Sequence, residues 1–214
     1  MKYKAIIFDL DGTLTDTLYD LMLSTNYALK QMGWPERTLD EVRGFVGNGV
    51  RRLMEQAVPE DAEEMEFDEC FSIFQEHYVE HCQDHTDLYA GVKELLEELK
   101  ARGYKMAIVS NKLQAGVNEL YRRFFKDTID VAIGEVREMR RKPFPDMVFK
   151  ALEKLDVTAE DAIYVGDSEV DMATARNAGL PCISVLWGFR DRDYLKEIGA
   201  FQMVETPAEI LELV

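Results

Sequence analysis

Six short apolar runs, each stopped by glycine or charge, recur along this chain, and stretches with helical spacing stand between them. The runs cover residues 4–8, 105–110, 128–134, 161–166, 182–186 and 201–204. Their apolar character is continuous rather than alternating, which means burial on both faces, as in a parallel sheet covered by helices. Two intervening segments repeat their apolar residues at three and four: Val92, Leu95, Leu96 and Leu99 in one, Met147, Val148, Ala151, Leu152 and Leu155 in the other. Strands alternating with helices predict an α/β fold with a Rossmann-like, doubly wound parallel sheet.

The alternation lapses between about Thr15 and His85. That stretch has no convincing strand and three or four helical patterns. One covers residues 18–32 and closes at Gly33 and Trp34-Pro35. Thr38-Leu39-Asp40-Glu41 fits a capping box. The last pattern starts near Asp61 and runs to about Gln83. Leu18, Leu23 and Tyr27 on the first, and Phe67, Phe71 and Phe74 on the last, are expected to form a small core. An all-helical insertion after the first strand predicts a second domain. Residues 1–14 and 86–214 then form the α/β core, and residues 15–85 form a helical cap near the strand ends where such sheets bind ligands. A length of 214 residues suits one domain carrying such an insertion.

Charge narrows the partners. With 25 basic and 41 acidic side chains the net charge is −16, which argues against nucleic acid and anionic membranes. No apolar run reaches the roughly 20 residues that span a bilayer, and the N-terminus lacks a signal-peptide pattern. Cys70, Cys82 and Cys182 are an odd and sparse set, which suits free thiols in a reducing compartment. A soluble cytoplasmic protein, monomer or homodimer, is expected.

The chemistry gathers at the strand ends. Asp9 and Asp11 stand two apart after the first run, where strand alternation puts both side chains on one side. Two such carboxylates repel unless a cation joins them, and hard oxygen ligands suit Mg²⁺. Taken alone, the pair reads equally well as a strand end with a capping aspartate. The other strand ends change the balance. Ser110-Asn111 offers a hydroxyl and main-chain N–H groups to an anion. Gly166-Asp167-Ser168 ends a further run, with Asp171 one helical turn beyond Asp167 on the same face. Between them Lys142 precedes the rigid Pro143-Phe144-Pro145.

Asp9-Leu10-Asp11-Gly12-Thr13-Leu14-Thr15-Asp16-Thr17, Ser110-Asn111-Lys112, Lys142-Pro143-Phe144-Pro145 and Gly166-Asp167-Ser168-Glu169-Val170-Asp171 closely resemble the four motifs of the haloacid-dehalogenase superfamily. The resemblance extends from residue 5 to about residue 190. The helical insertion is similar to the cap of the subgroup that includes phosphoglycolate phosphatase, β-phosphoglucomutase and a pyrophosphatase. By this resemblance Asp9 is the nucleophile and Asp11 the general acid/base. Ser110, Asn111 and Lys142 would hold the phosphate. Mg²⁺ would be held by Asp9, Asp167 and the main-chain carbonyl of Asp11, while Asp171 steadies Lys142 or a water on the metal. Dehalogenases of the superfamily lack the second carboxylate, because a halide leaves without a proton, so Asp11 implies phosphoryl transfer. The implied activity is hydrolysis of a small phosphorylated metabolite, phosphoglycolate-like, through an aspartyl-phosphate. A pyrophosphatase, a sugar-phosphate mutase and a non-catalytic binding member are the alternatives.

Two features of the insertion have double readings. Phe45-Val46-Gly47-Asn48-Gly49-Val50-Arg51 is either a plain interhelical turn or a loop in which Gly47, Asn48 and Arg51 select the substrate, with Arg43 or Arg51 offered to a carboxylate. His77, His81 and His85 are spaced four apart and would share a helical face. No second cluster completes a transition-metal ligand set, so they read as polar surface.

Overall fold

The computed structural model describes residues 2–214 as two compact units, one joining the chain up to Thr15 with Leu88–Val214, the other Asp16–Asp87. The first strand, β1 (Ala5–Phe8), is buried along its whole length. The chain passes through β2 (Thr15–Asp16) into the helical unit, which contains α1 (Leu18–Gln31), α2 (Leu39–Phe45), α3 (Gly49–Ala57) and α4 (Glu64–His81). It returns through β3 (Asp87–Leu88), which pairs with β2.

Inside the helical unit α1 packs along α4, burying Leu21, Ala28, Leu29, Phe67, Cys70 and Phe74. The capping box at α2 forms: the Thr38 hydroxyl accepts from the Glu41 amide, and Glu41 accepts from the Thr38 amide at 2.8 Å. The last helix starts at Glu64 rather than near Asp61, because extended Glu63 makes its own capping box with Glu66. It ends at His81, which leaves His85 beyond it. Tyr27 departs from its expected place in the core. It is 43% exposed and stacks on His77 at 4.1 Å between ring centroids.

The other unit continues with α5 (Val92–Ala101), β4 (Lys105–Leu113), α6 (Gln114–Leu120) and β5 (Val131–Glu135). Then come α7 (Asp146–Leu155), β6 (Ala162–Gly166), α8 (Glu169–Ala178), β7 (Cys182–Val185), α9 (Arg192–Glu197), β8 (Met203–Val204) and α10 (Pro207–Ile210). The strands form one parallel sheet in the order β5-β4-β1-β6-β7-β8. Ile6 and Phe8 enter one apolar layer with Leu96, Ile108 and Ile163, while Ala5 and Ile7 enter the other with Val148, Ala151 and Tyr164. Burial on both faces is the reason the strands show no polar alternation.

Three strand boundaries differ from the sequence pattern by two residues or more. β5 begins only at Val131, because the amides of Thr128 and Ile129 turn back to the Phe125 carbonyl. β8 is cut to two residues, and Phe201 is 99% exposed. β4 instead runs on to Leu113, with its register against β5 shifting between Val109 and Leu113.

Candidate active site

The order β4-β1-β6 sets the ends of three neighbouring strands side by side, and each carries one functional motif. Strand order changes direction at β1, which is where open α/β sheets leave a crevice for ligands. Asp9 follows β1 directly, and its amide donates to the Val165 carbonyl on β6 at 2.9 Å. Asp167 follows β6. One carboxylate oxygen from each of Asp9, Asp167 and Asp171 lies within 4.8 Å of the others, and all three residues are buried.

One ammonium stands among these acids. Lys142 Nζ is 2.7 Å from Asp9 Oδ1 and 2.8 Å from Asp171 Oδ1, with the Tyr164 hydroxyl at 3.3 Å. Burial opposes the lysine's charge, but Asp171 and Asp9 more than offset it and hold its pKa well above the ordinary value. Asp9 is raised well above the usual carboxylate range by burial and by Asp171, against the pull of Lys142. Asp167 is pushed up to about 7 by burial and Asp171, although the Phe189 amide and Thr13 hydroxyl favour its ionised form. Three buried carboxylates facing one ammonium leave an excess of negative charge. The oxygens of Asp9 and Asp167 are hard donors, so the set fits a divalent cation such as Mg²⁺.

Asp171 belongs to this group but has another task. Its Oδ1 accepts from Lys142 and from Tyr164 Oη at 3.2 Å. Its Oδ2 accepts from the amides of Asp167 and Ser168 at 3.2 and 3.1 Å and from Ser168 Oγ at 2.6 Å. Five donors on two oxygens exceed the roughly four lone-pair sites of a carboxylate. Asp171 therefore fastens Lys142 to the first turn of α8.

Asp11 takes a different direction from Asp9. β1 ends at Phe8, so strand alternation does not extend to residue 11. The chain instead folds back on itself: the amides of Leu14 and Thr15 both donate to the Leu10 carbonyl, and that of Gly12 to Thr15. Gly12 has φ +88°, and a Cβ there would lie 2.6 Å from Asp167 Oδ2 and 2.7 Å from the Phe189 ring. Only glycine fits this bend. As a result the Asp11 carboxylate stays outside the acidic cluster and pairs with Lys112 Nζ at 3.2 Å.

The motif on β4 is also divided. Ser110 is buried, and its Oγ accepts from the Lys112 amide at 3.1 Å. The sequence offered the main-chain N–H groups here to an anion; the Asn111 side chain grips the Lys142 main chain. Its Oδ1 accepts from the Lys142 amide at 2.8 Å, and its Nδ2 donates to the Lys142 carbonyl at 3.2 Å. That bond pair sets where the loop delivers Lys142.

Sequence reasoning gave no role to Lys112, Tyr164, Thr13 or the Phe189 amide. Lys112 and Thr13 sit inside the quoted motifs, and Tyr164 is the one hydroxyl in its apolar run. The Phe189 amide carried no signal, since any residue supplies an N–H. Arg51, expected to meet substrate, lies over Phe67 and Phe71 at 4.8 and 5.5 Å and pairs with Asp68 at 3.6 Å within the helical unit. Gly47 and Gly49 have positive φ on either side of Asn48, the residue before α3. His77, His81 and His85 bond separately to Ser24, Asp84 and Asp20. Among the described residues they form no metal cluster.

The sequence matches the haloacid dehalogenase-like hydrolase family over residues 6–185, and the chain belongs to that family. It is 35% identical to the phosphoglycolate phosphatase of Aquifex aeolicus, covering 87% of this chain and 86% of that protein. It is 32% identical to the phosphoglycolate phosphatase of Vibrio parahaemolyticus, covering 99% and 96%. A solved structure from Lactobacillus delbrueckii subsp. bulgaricus, provisionally assigned as a phosphoglycolate phosphatase, superposes with a TM-score of 0.95 at 35% identity, covering 100% of this chain and 98% of that one. No helix among the described residues is long and apolar enough to cross a membrane.

Proposed function

We propose that the protein is a Mg²⁺-dependent phosphomonoester hydrolase that acts on a small phosphorylated metabolite, phosphoglycolate first, through an aspartyl-phosphate on Asp9. The observation that carries the reading is the buried Lys142 held between Asp9 and Asp171 beside Asp167. An ammonium fixed against a nucleophilic carboxylate supports capture of an anionic phosphoryl group, where catalysis is mostly positioning and charge neutralisation. Asp9 and Asp167, with the Asp11 main-chain carbonyl, would hold the cation. When bound, Mg²⁺ supplies positive charge that lets a carboxylate approach a phosphate.

In the first step an Asp9 oxygen bonds to phosphorus, the ester P–O bond breaks, and Asp11 gives its proton to the leaving alkoxide. In the second, Asp11 takes a proton from water, whose oxygen bonds to phosphorus. The acyl-phosphate bond then breaks, giving inorganic phosphate and restoring Asp9. Ser110 and Lys142 orient the phosphoryl oxygens throughout. The substrate assignment rests on the names of the relatives.

The test is phosphate release from phosphoglycolate and from an aryl phosphate, with and without Mg²⁺. Asp9→Asn should abolish turnover of both while the far-UV circular dichroism stays native. Retained activity in that variant would exclude Asp9 as nucleophile. A mutase would instead equilibrate isomeric sugar phosphates with little net release of phosphate.

A further inference from the structure

Lys112 has no part in the chemistry described above, yet its side chain is only 4% exposed. A buried ammonium carries a large desolvation cost and is seldom kept without a task. Its position comes from the irregularity in β4. Regular pairing with β5 breaks off after Val109 and resumes only at Leu113, and Ser110, Asn111 and Lys112, the buried residues between, lie in the shifted stretch. Bulges re-aim side chains in this way, commonly beside active sites. Here three consecutive residues reach three targets: Ser110 keeps to the strand end, Asn111 holds Lys142, and Lys112 reaches Asp11. The Lys112 stem runs against α6, where a Cβ at Gly116 would lie 3.1 Å from Lys112 Cε.

We propose that Lys112 is the residue that selects a carboxylate on the substrate's leaving group. The inference rests on the phosphatase reading above, in which Asp11 contacts the leaving oxygen. A general acid must come within about 3 Å of the oxygen it protonates. Lys112 Nζ lies 3.2 Å from Asp11 Oδ1, so a group two bonds beyond that oxygen comes within its reach. A phosphorylated 2-hydroxy acid has its carboxylate at that position. The site then holds its substrate at two ends, with Lys142 on the phosphoryl group and Lys112 on the carboxylate. Esters with an uncharged alcohol leave the second lysine without its ligand.

The experiment compares phosphoglycolate with 2-hydroxyethyl phosphate, which replaces the carboxylate by CH₂OH, using the full chain with Mg²⁺. The quantity read is the ratio of the two kcat/KM values. In Lys112→Met the ratio should fall about 100-fold, since a site built to bond a polar group strongly rejects the analogue lacking it. Lys112→Arg should recover part of it. Gly116→Ala keeps the charge but presses on the lysine stem, and should lower the ratio several-fold, so it decides the matter if Lys112→Met does not fold. Equal losses on both esters would place Lys112 behind Asp11 and overturn the inference, as would an unchanged ratio in these variants. Failure of the unmodified protein to release phosphate from either ester would refute the phosphatase reading itself, a separate result.

Discussion

Lys142 and Lys112 are both buried and both pair with an aspartate of the same short segment, yet their surroundings differ. Lys142 has Asp9, Asp171 and Tyr164 around it, and its backbone is clamped by Asn111. It is a charge held in place by a closed network. Lys112 faces Asp11, whose side chain is 17% exposed, against 10% for Asp9 and 0% for Asp171 around Lys142. On the proposed mechanism, the closed network would be the phosphoryl end, shared by all esters, and the more open Asp11 side the leaving-group end, free to differ between substrates.

The sharpest way to break this contrast is Lys142→Met. Removing the ammonium leaves three buried acids facing one another, and activity on every ester should drop about 1000-fold or more. Stability at neutral pH should fall by roughly 3 kcal/mol, measured by urea denaturation. A loss confined to phosphoglycolate would reverse the roles given to the two lysines.

Asp11→Asn comes next and separates leaving groups by their need for a proton. Turnover of alkyl phosphates should fall about 100-fold or more, and that of an aryl phosphate with a good leaving group much less. Uniform loss would argue against a general acid there. Asn111→Ala should act on the Lys142 side although it neighbours Lys112. Two hydrogen bonds to the loop disappear, so stability should fall by about 1–3 kcal/mol, and activity on both esters of the substrate pair should fall by the same factor. Unequal factors would show that Asn111 works at the leaving-group end.

The smallest effect concerns pH. Asp167 ionises near 7 in the folded protein against 3.8 ordinarily. Between those values the unfolded chain has already lost this proton while the folded one keeps it. Metal-free stability should therefore decline as pH rises through that window and level off above about 7. Mg²⁺ requires the ionised carboxylate, so the rise in Tm it produces should be larger at pH 8 than at pH 5. An equal rise at both values would remove Asp167 from the cation site.

Much of this was legible in the chain itself. Continuous apolar runs announce a doubly covered sheet, because a strand buried on both faces has no polar side to display. Asp9, Ser110 and Asp167 at the ends of those runs point to one candidate site, because polar groups that follow buried parallel strands emerge at one edge; Lys142 joins them from a loop. Periodicity also marked α7, since Met147, Val148, Ala151, Leu152 and Leu155 all lie on its buried face.

What the sequence left open depended on contacts between distant residues. Strand alternation sends Asp11 to the side of Asp9, but the bend at Gly12, forced by Asp167 and Phe189, takes it elsewhere. The Asn111 side chain carries no sign of its partner until the loop bearing Lys142 arrives to meet its amide. Arg51 reads as a free guanidinium until α4 brings Phe67 and Phe71 beneath it. Local order and residue type determined the sheet and the chemical repertoire, since both follow from spacing along the chain. Which acid meets which lysine was settled only by the packing of strand ends, where a register shift in β4 or the bend at Gly12 re-aims a charged side chain.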